Sequence, residues 1–192
     1  GSIYIDKLDA IYNDSTTPPT SFKDINGHWA AKEIIELSNR NVISGFPDGT
    51  FQPNTNITRE QAAIMLTREL KISTANRPDP GFSDVSSQHR SYSIIAAVAN
   101  EGLITSRGNN RFDPNETLTR AEMAVILQRA YKLSGTSTKR FADVPGSHWA
   151  AGAINTLAAN NITGGYPDGT YKPSNSITRA EFSVFMYRAI TR

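Results

Sequence analysis

Apolar residues fall at helical spacing in short stretches along this chain, each set off by polar, turn-rich runs. Between about residues 28 and 39 the apolar side is Ala31, Ile34, Ile35 and Leu37, which predicts a first helix. Residues 41–53 follow with Ser44-Gly45-Phe46-Pro47-Asp48-Gly49-Thr50-Phe51, dense enough in turn formers to predict an ordered loop. From Thr58 to about Leu70, Ile64, Leu66 and Leu70 mark a second helix. The whole succession then recurs. Phe22, Phe82 and Phe141 lie 60 and 59 positions apart, and Pro53, Pro114 and Pro173 lie 61 and 59 apart. A period of this kind sets the architecture before any single residue is weighed.

The expectation is an all-α protein of three helix–loop–helix repeats, at 21–75, 81–135 and 140–192. Short Ser-, Thr-, Gly- or Pro-bearing joints at 73–80 and 134–139 connect them. A unit of about sixty residues buries too little surface to be secure alone, so the repeats should share one core. Residues 1–20 stand outside the pattern. Tyr4, Leu8, Ile11 and Tyr12 allow one short amphipathic helix there, before the linker Ser15–Thr20. Repeat three copies repeat one closely, whereas repeat two keeps the apolar framework (Ile95, Val98, Leu103, Phe112, Ile126, Leu127) and changes its surface. Arg90 stands where the other repeats carry Trp29 and Trp149, and Arg107-Gly108-Asn109-Asn110-Arg111 replaces the Pro-Asp-Gly-Thr loop.

Composition narrows the function classes. With 38% hydrophobic and 20% charged residues over 192 positions, the chain is ordinary for a globular protein. A net charge of +2 is too mild for a nucleic-acid partner. Cysteine is absent, so disulfides and thiolate metal sites are unavailable. No apolar run reaches the eighteen or so residues of a membrane span. Gly1-Ser2 reads as a cloning remnant, so the lack of a leader says nothing about export.

Three copies of one motif carry the candidate chemistry: Thr58-Arg59-Glu60-Gln61, Thr119-Arg120-Ala121-Glu122 and Thr178-Arg179-Ala180-Glu181. The threonine with Gln or Glu three residues on predicts a helix-opening capping box. That leaves the arginine unexplained, because a cation at the first helical position opposes the helix dipole by about 0.3–1 kcal/mol. Two compensations stand open. The guanidinium, beside free helix-start amides, receives a carboxylate or phosphate; or it pairs internally with an acid such as Glu60 or one from a neighbouring repeat. On the first reading, alanine at position 59 or 179 leaves the melting temperature nearly unchanged; on the second it lowers it.

Other recurrent residues read as structural. His28, His89 and His148 lack metal-ligand neighbours and suit hydrogen bonding at a helix start. Asp24, Asp84 and Asp143 are expected to tie the free amides of the first helices. Asp48-Gly49 and Asp168-Gly169 lack the alternating oxygen ligands of a calcium loop, which leaves turn formation. Trp29 and Trp149 suit either the core or an apolar wall. Whether the first helices or the Thr-Arg helices line the centre is open. No catalytic constellation is present, so the chain reads as non-enzymatic, without cofactor or metal.

Taken together, Phe-x-Asp, His-Trp-Ala, Gly-Phe/Tyr-Pro-Asp-Gly-Thr-Phe/Tyr and Ile-Thr-Arg-Ala-Glu, three times over residues 21–192, resemble the S-layer homology domain. The resemblance implies a single-chain pseudo-threefold trimer with binding grooves between repeats. It implies a cell-wall anchor, extracellular in a Gram-positive bacterium, that holds a secondary polysaccharide bearing pyruvate ketals on N-acetylmannosamine. By position, Arg59, Arg120 and Arg179 would grip the ketal carboxylate. Ser44, Gly45, Thr105, Ser106, Gly164 and Gly165 would add loop contacts, and Trp29 and Trp149 apolar walls. The alternative is a protein-interaction or self-assembly module. As an isolated piece the chain is expected to be monomeric. The departures in repeat two predict unequal grooves, with Arg120 contributing less than the strongest of the other two arginines.

Overall fold

The computed structural model describes residues 22–192; the helix expected within residues 3–20 lies outside them. Six α-helices account for its regular structure, two per repeat, and no strand occurs among the described residues. They are α1 Ala31–Asn39, α2 Arg59–Leu70, α3 Tyr92–Asn100, α4 Arg120–Ala130, α5 Ala151–Ala159 and α6 Arg179–Thr191. The protein is all-α, as the apolar spacing predicts. None of these helices is long and apolar enough to cross a membrane.

Capping starts the second helix of each repeat. Thr58, Thr119 and Thr178 hold extended backbone, and each side chain accepts a hydrogen bond from the amide of the residue three positions on. Gln61, Glu122 and Glu181 return the bond to the cap amide at 3.0, 3.0 and 2.9 Å. Deleting one such cap, as Thr58→Ala or Thr178→Ala, is expected to cost about 1 kcal/mol. A lower denaturant midpoint at unchanged slope would register it; an unmoved midpoint would contradict the capping account.

The first helices start differently. His28, His89 and His148 each turn Nδ1 back to accept from the amide two residues later, all at 3.0 Å. The aspartates do not serve these helices. Asp24 accepts from the amides of Phe51 and Gln52, Asp84 from Phe112 and Asp113, and Asp143 from Tyr171 and Lys172. Burial pushes the Asp84 and Asp143 carboxyls up, but these paired amide bonds outweigh it and hold both below the usual range. The expectation that they tie helix amides fails because the nearby histidine already serves that end. The carboxylates instead pin the loop carrying Phe51, Phe112 and Tyr171. Those rings are wholly buried and lie 5.3–5.5 Å from Phe22, Phe82 and Phe141.

The repeats do not close on themselves. α2 packs on α3, α4 on α5, and α6 on α1, so each Thr-Arg helix packs on the first helix of the next repeat and the last returns to the first. Three backbone bonds complete the same circuit: Ile57 donates to Ile177, Ile177 to Leu118, and Leu118 to Ile57. Burial distinguishes the two helices of repeat one. Every residue from Arg59 to Thr67 is buried, whereas α1 buries only Ile34, Leu37 and Ser38.

Candidate functional site

The motif arginines follow the same circuit. Each guanidinium leaves its own helix and enters the next repeat, where Nε donates to a backbone carbonyl. Arg59 reaches Phe112 O at 2.6 Å, Arg120 reaches Tyr171 O at 2.7 Å, and Arg179 reaches Phe51 O at 2.9 Å. All three are 2–4% exposed. Aromatic rings lie against them: Phe112 at 4.9 Å from Arg59, Tyr171 at 4.4 Å from Arg120, and Phe51 at 4.5 Å from Arg179. Burial lowers the Arg59 pKa, and the nearby Arg107 lowers it further.

These contacts decide between the two compensations only in part. Internal pairs exist: Arg59 lies 3.5 Å from Glu122 and Arg120 lies 3.7 Å from Glu181. The acid comes from the next repeat's own motif and not from Glu60. The helix-start amides are not free, since Arg59 N donates to Glu116, Glu60 N to Pro114 and Gln61 N to Thr58. Any anion must therefore use the guanidinium and the groove side chains. Because the side chain is buried inter-repeat structure, alanine here is instead expected to lower stability.

A cavity adjoins each arginine. The first, about 280 Å³, is lined by Arg59, by Thr105 and Ser106 of repeat two, by α4, and by Trp149 of repeat three. The second, about 150 Å³, is lined by Arg120, by Gly164 and Gly165 of repeat three, by α6, and by Trp29 of repeat one. Both indoles are well exposed, at 63% for Trp29 and 67% for Trp149, so they are walls and not core. Ser44, Gly45 and Arg179 line the third, which has shrunk to about 10 Å³. Each open groove draws on all three repeats: arginine from one, loop and helix from the next, indole from the one after.

A family model for the S-layer homology domain matches residues 21–63, 81–124 and 140–183, most of the chain. The chain belongs to the S-layer homology domain family. An S-layer protein of Bacillus licheniformis is 34% identical over 171 residues, covering 86% of this chain and 19% of that protein. A cellulosome-anchoring protein of Acetivibrio thermocellus is 33% identical over 159 residues, 78% of this chain and 35% of that protein. An uncharacterised cell wall amidase of Bacillus anthracis is 35% identical over 170 residues, 86% of this chain and 31% of that protein. The chain thus spans a minor part of each relative it matches. S-layer homology units are non-catalytic anchoring modules, and these relatives indicate a location in the wall, at the surface of a Gram-positive bacterium.

Within this S-layer homology chain the departures of repeat two are shared out between grooves. Arg90, in the tryptophan position, belongs beside α2 and hence beside the Arg179 groove. It bends back to Glu60 at 2.7 Å, and Ser91 donates to the same carboxylate at 2.5 Å. Arg107, in the position of Phe46 and Tyr166, belongs to the Arg59 groove. The Arg120 groove receives neither change. The reason for ranking Arg120 low is therefore removed: neighbouring repeats build each groove, so a substitution acts where its helix packs.

Gly45 and Gly165 have a structural reason of their own. At φ +73° each, an added Cβ would stand 2.4 Å from Phe22 or Phe141 and within 2.8 Å of a loop carbonyl. Sequence reading missed Arg129 and Arg188, which line the two open grooves. With Arg68 they recur 61 and 59 positions apart, the same intervals as the motif arginines, and that signal was available.

Proposed function

We propose that this anchoring module binds an anionic secondary cell-wall polysaccharide in the grooves between its repeats. The glycan class is one carrying pyruvate ketals on N-acetylmannosamine. The units 21–75, 81–135 and 140–192 stand as a single-chain pseudo-threefold trimer, monomeric as an isolated piece. One observation carries the reading: in both open grooves an exposed indole from one repeat and a buried guanidinium from another line the same cavity. A sugar's apolar face suits the indole, and a ketal carboxylate suits the guanidinium. A neutral glycan would offer these guanidinium groups no charge beyond the 3.5 and 3.7 Å contacts with Glu122 and Glu181.

In this reading Arg59 and Arg120 hold the carboxylate. Thr105 and Ser106, or Gly164 and Gly165, border the sugar, and Trp149 or Trp29 supports it. The Arg179 groove with Ser44 and Gly45 is too small to take a sugar without opening. Calorimetry with a pyruvylated wall disaccharide against its ketal-free analogue tests this directly and leaves the protein intact. A charge-assisted pair contributes about 1.5–3 kcal/mol, so removal of the ketal should cost about tenfold or more in affinity. Equal binding of the two ligands would overturn the proposal.

A further inference from the structure

Repeat two supplies a charge pattern found in neither other groove. At the position where Phe46 lies 4.6 Å from Arg179 and Tyr166 lies 4.8 Å from Arg120, repeat two has Arg107. An aromatic face that would accept a guanidinium is replaced by a second guanidinium. Glu122 lies between the two cations. Arg107 holds it through both carboxylate oxygens, at 2.8 and 2.5 Å, while Arg59 is left at 3.5 Å from the same group. Donating to the Glu122 carboxylate raises the Arg107 pKa above its ordinary value.

The groove is lined by a third cation, Arg129 of α4. Its counterpart in the Arg120 groove, Arg188, is tied to the carbonyl of Ile162 at 2.9 Å. Arg129 is exposed. The lining of the Arg59 groove thus sets three arginines against one glutamate, and that of the Arg120 groove two arginines against one. The better supplied groove is also the larger, about 280 Å³ against about 150 Å³.

We infer that the Arg59 groove is a two-anion site: one acidic group of the glycan sits at Arg59, and a second, a carboxylate or a phosphate, sits between Arg107 and Arg129. The inference rests on the carboxylate-binding reading above and narrows it to a doubly charged glycan segment. Arg107 and Arg129 then set specificity, selecting glycans by the density of their acidic groups.

The test uses three tetrasaccharides of equal length: one with a single ketal, one with two ketals, and one with a ketal plus a phosphate ester. Calorimetry is run on the wild-type chain, on Arg107→Tyr, which installs the repeat-three residue, and on the exposed substitution Arg129→Gln. Two ketals offer at most a twofold statistical advantage. The wild type should favour the doubly charged ligands by about tenfold, and the ratio should fall towards two in each variant. The doubly charged ligand preferred shows whether the second anion is carboxylate or phosphate. A wild-type ratio near two overturns the inference, as does a tenfold ratio that survives both substitutions. If no ketal-bearing ligand binds better than a ketal-free tetrasaccharide, the underlying carboxylate reading fails and takes this one with it.

Discussion

Alanine at Arg59 or Arg120 is expected to lower the folding stability by about 2–4 kcal/mol, in the range of buried charged hydrogen-bonded groups. Each side chain is buried and donates Nε to a carbonyl of the next repeat, at 2.6 Å for Arg59 and 2.7 Å for Arg120. Truncation removes that donor and empties the space beneath Phe112 or Tyr171. It also strips Glu122 or Glu181 of its partner across the repeat boundary. The removed dipole misfit, about 0.3–1 kcal/mol, offsets only part of this. For a protein of this size the melting temperature should fall by about 5–15 °C. Arg→Lys should fall between, since a lysine keeps the charge but cannot fork between a carbonyl and a carboxylate. A scanning melt of the four variants checks the order. Alanine variants that melt within a degree or two of wild type would show that the arginines serve the ligand alone. A binding defect in an Arg→Ala variant is interpretable only beside its melt.

Arg90→Ala should be comparably damaging, for a different reason. Glu60 is 1% exposed, and both its recorded side-chain partners are in repeat two: Arg90 at 2.7 Å and Ser91 at 2.5 Å. Removing the cation strands a buried carboxylate, at a cost of about 3–5 kcal/mol. Glu60→Ala should cost less, since the Arg90 side chain is already 22% exposed and can turn towards water. The three residues form one correlated change: Glu60 replaces the alanine of Ala121 and Ala180, while Arg90-Ser91 replaces Trp149-Ala150 and Trp29-Ala30. The triple substitution Glu60→Ala, Arg90→Trp, Ser91→Ala restores the pattern of the other repeats. It should recover most of the loss seen in Arg90→Ala, a strongly non-additive result. Urea midpoints decide it: an Arg90→Ala cost under about 1 kcal/mol, or a triple variant no better than the single, would refute the account.

Local chemistry was legible without coordinates. Apolar spacing places both helices of the first repeat, about 28–39 and 58–70, close to the observed Ala31–Asn39 and Arg59–Leu70, and Thr-x-x-Gln/Glu identifies the capping boxes, because both depend on neighbours within one helical turn. The motif arginines were visible as a local anomaly: a cation at a helix start needs compensation. The same spacing arithmetic, carried to Arg68, Arg129 and Arg188, would have exposed two more groove residues.

What closed the molecule was not local. Asp24, Asp84 and Asp143 bind amides twenty-seven to twenty-nine residues away, and nothing in sequence separates that from a helix cap. The grooves are assembled from three repeats at once, so repeat-by-repeat reading assigned Arg90 and Arg107 to one damaged unit. Packing sends Arg90 to Glu60 of α2, the helix that also lines the closed Arg179 groove, and Arg107 to the Arg59 groove, which is open and more positive. Sequence determined the three units, their caps and the charge that calls for a partner. Only the tertiary structure decided which units share a groove, because the order of packing around the circuit is set by which exposed helix face each Thr-Arg helix must cover.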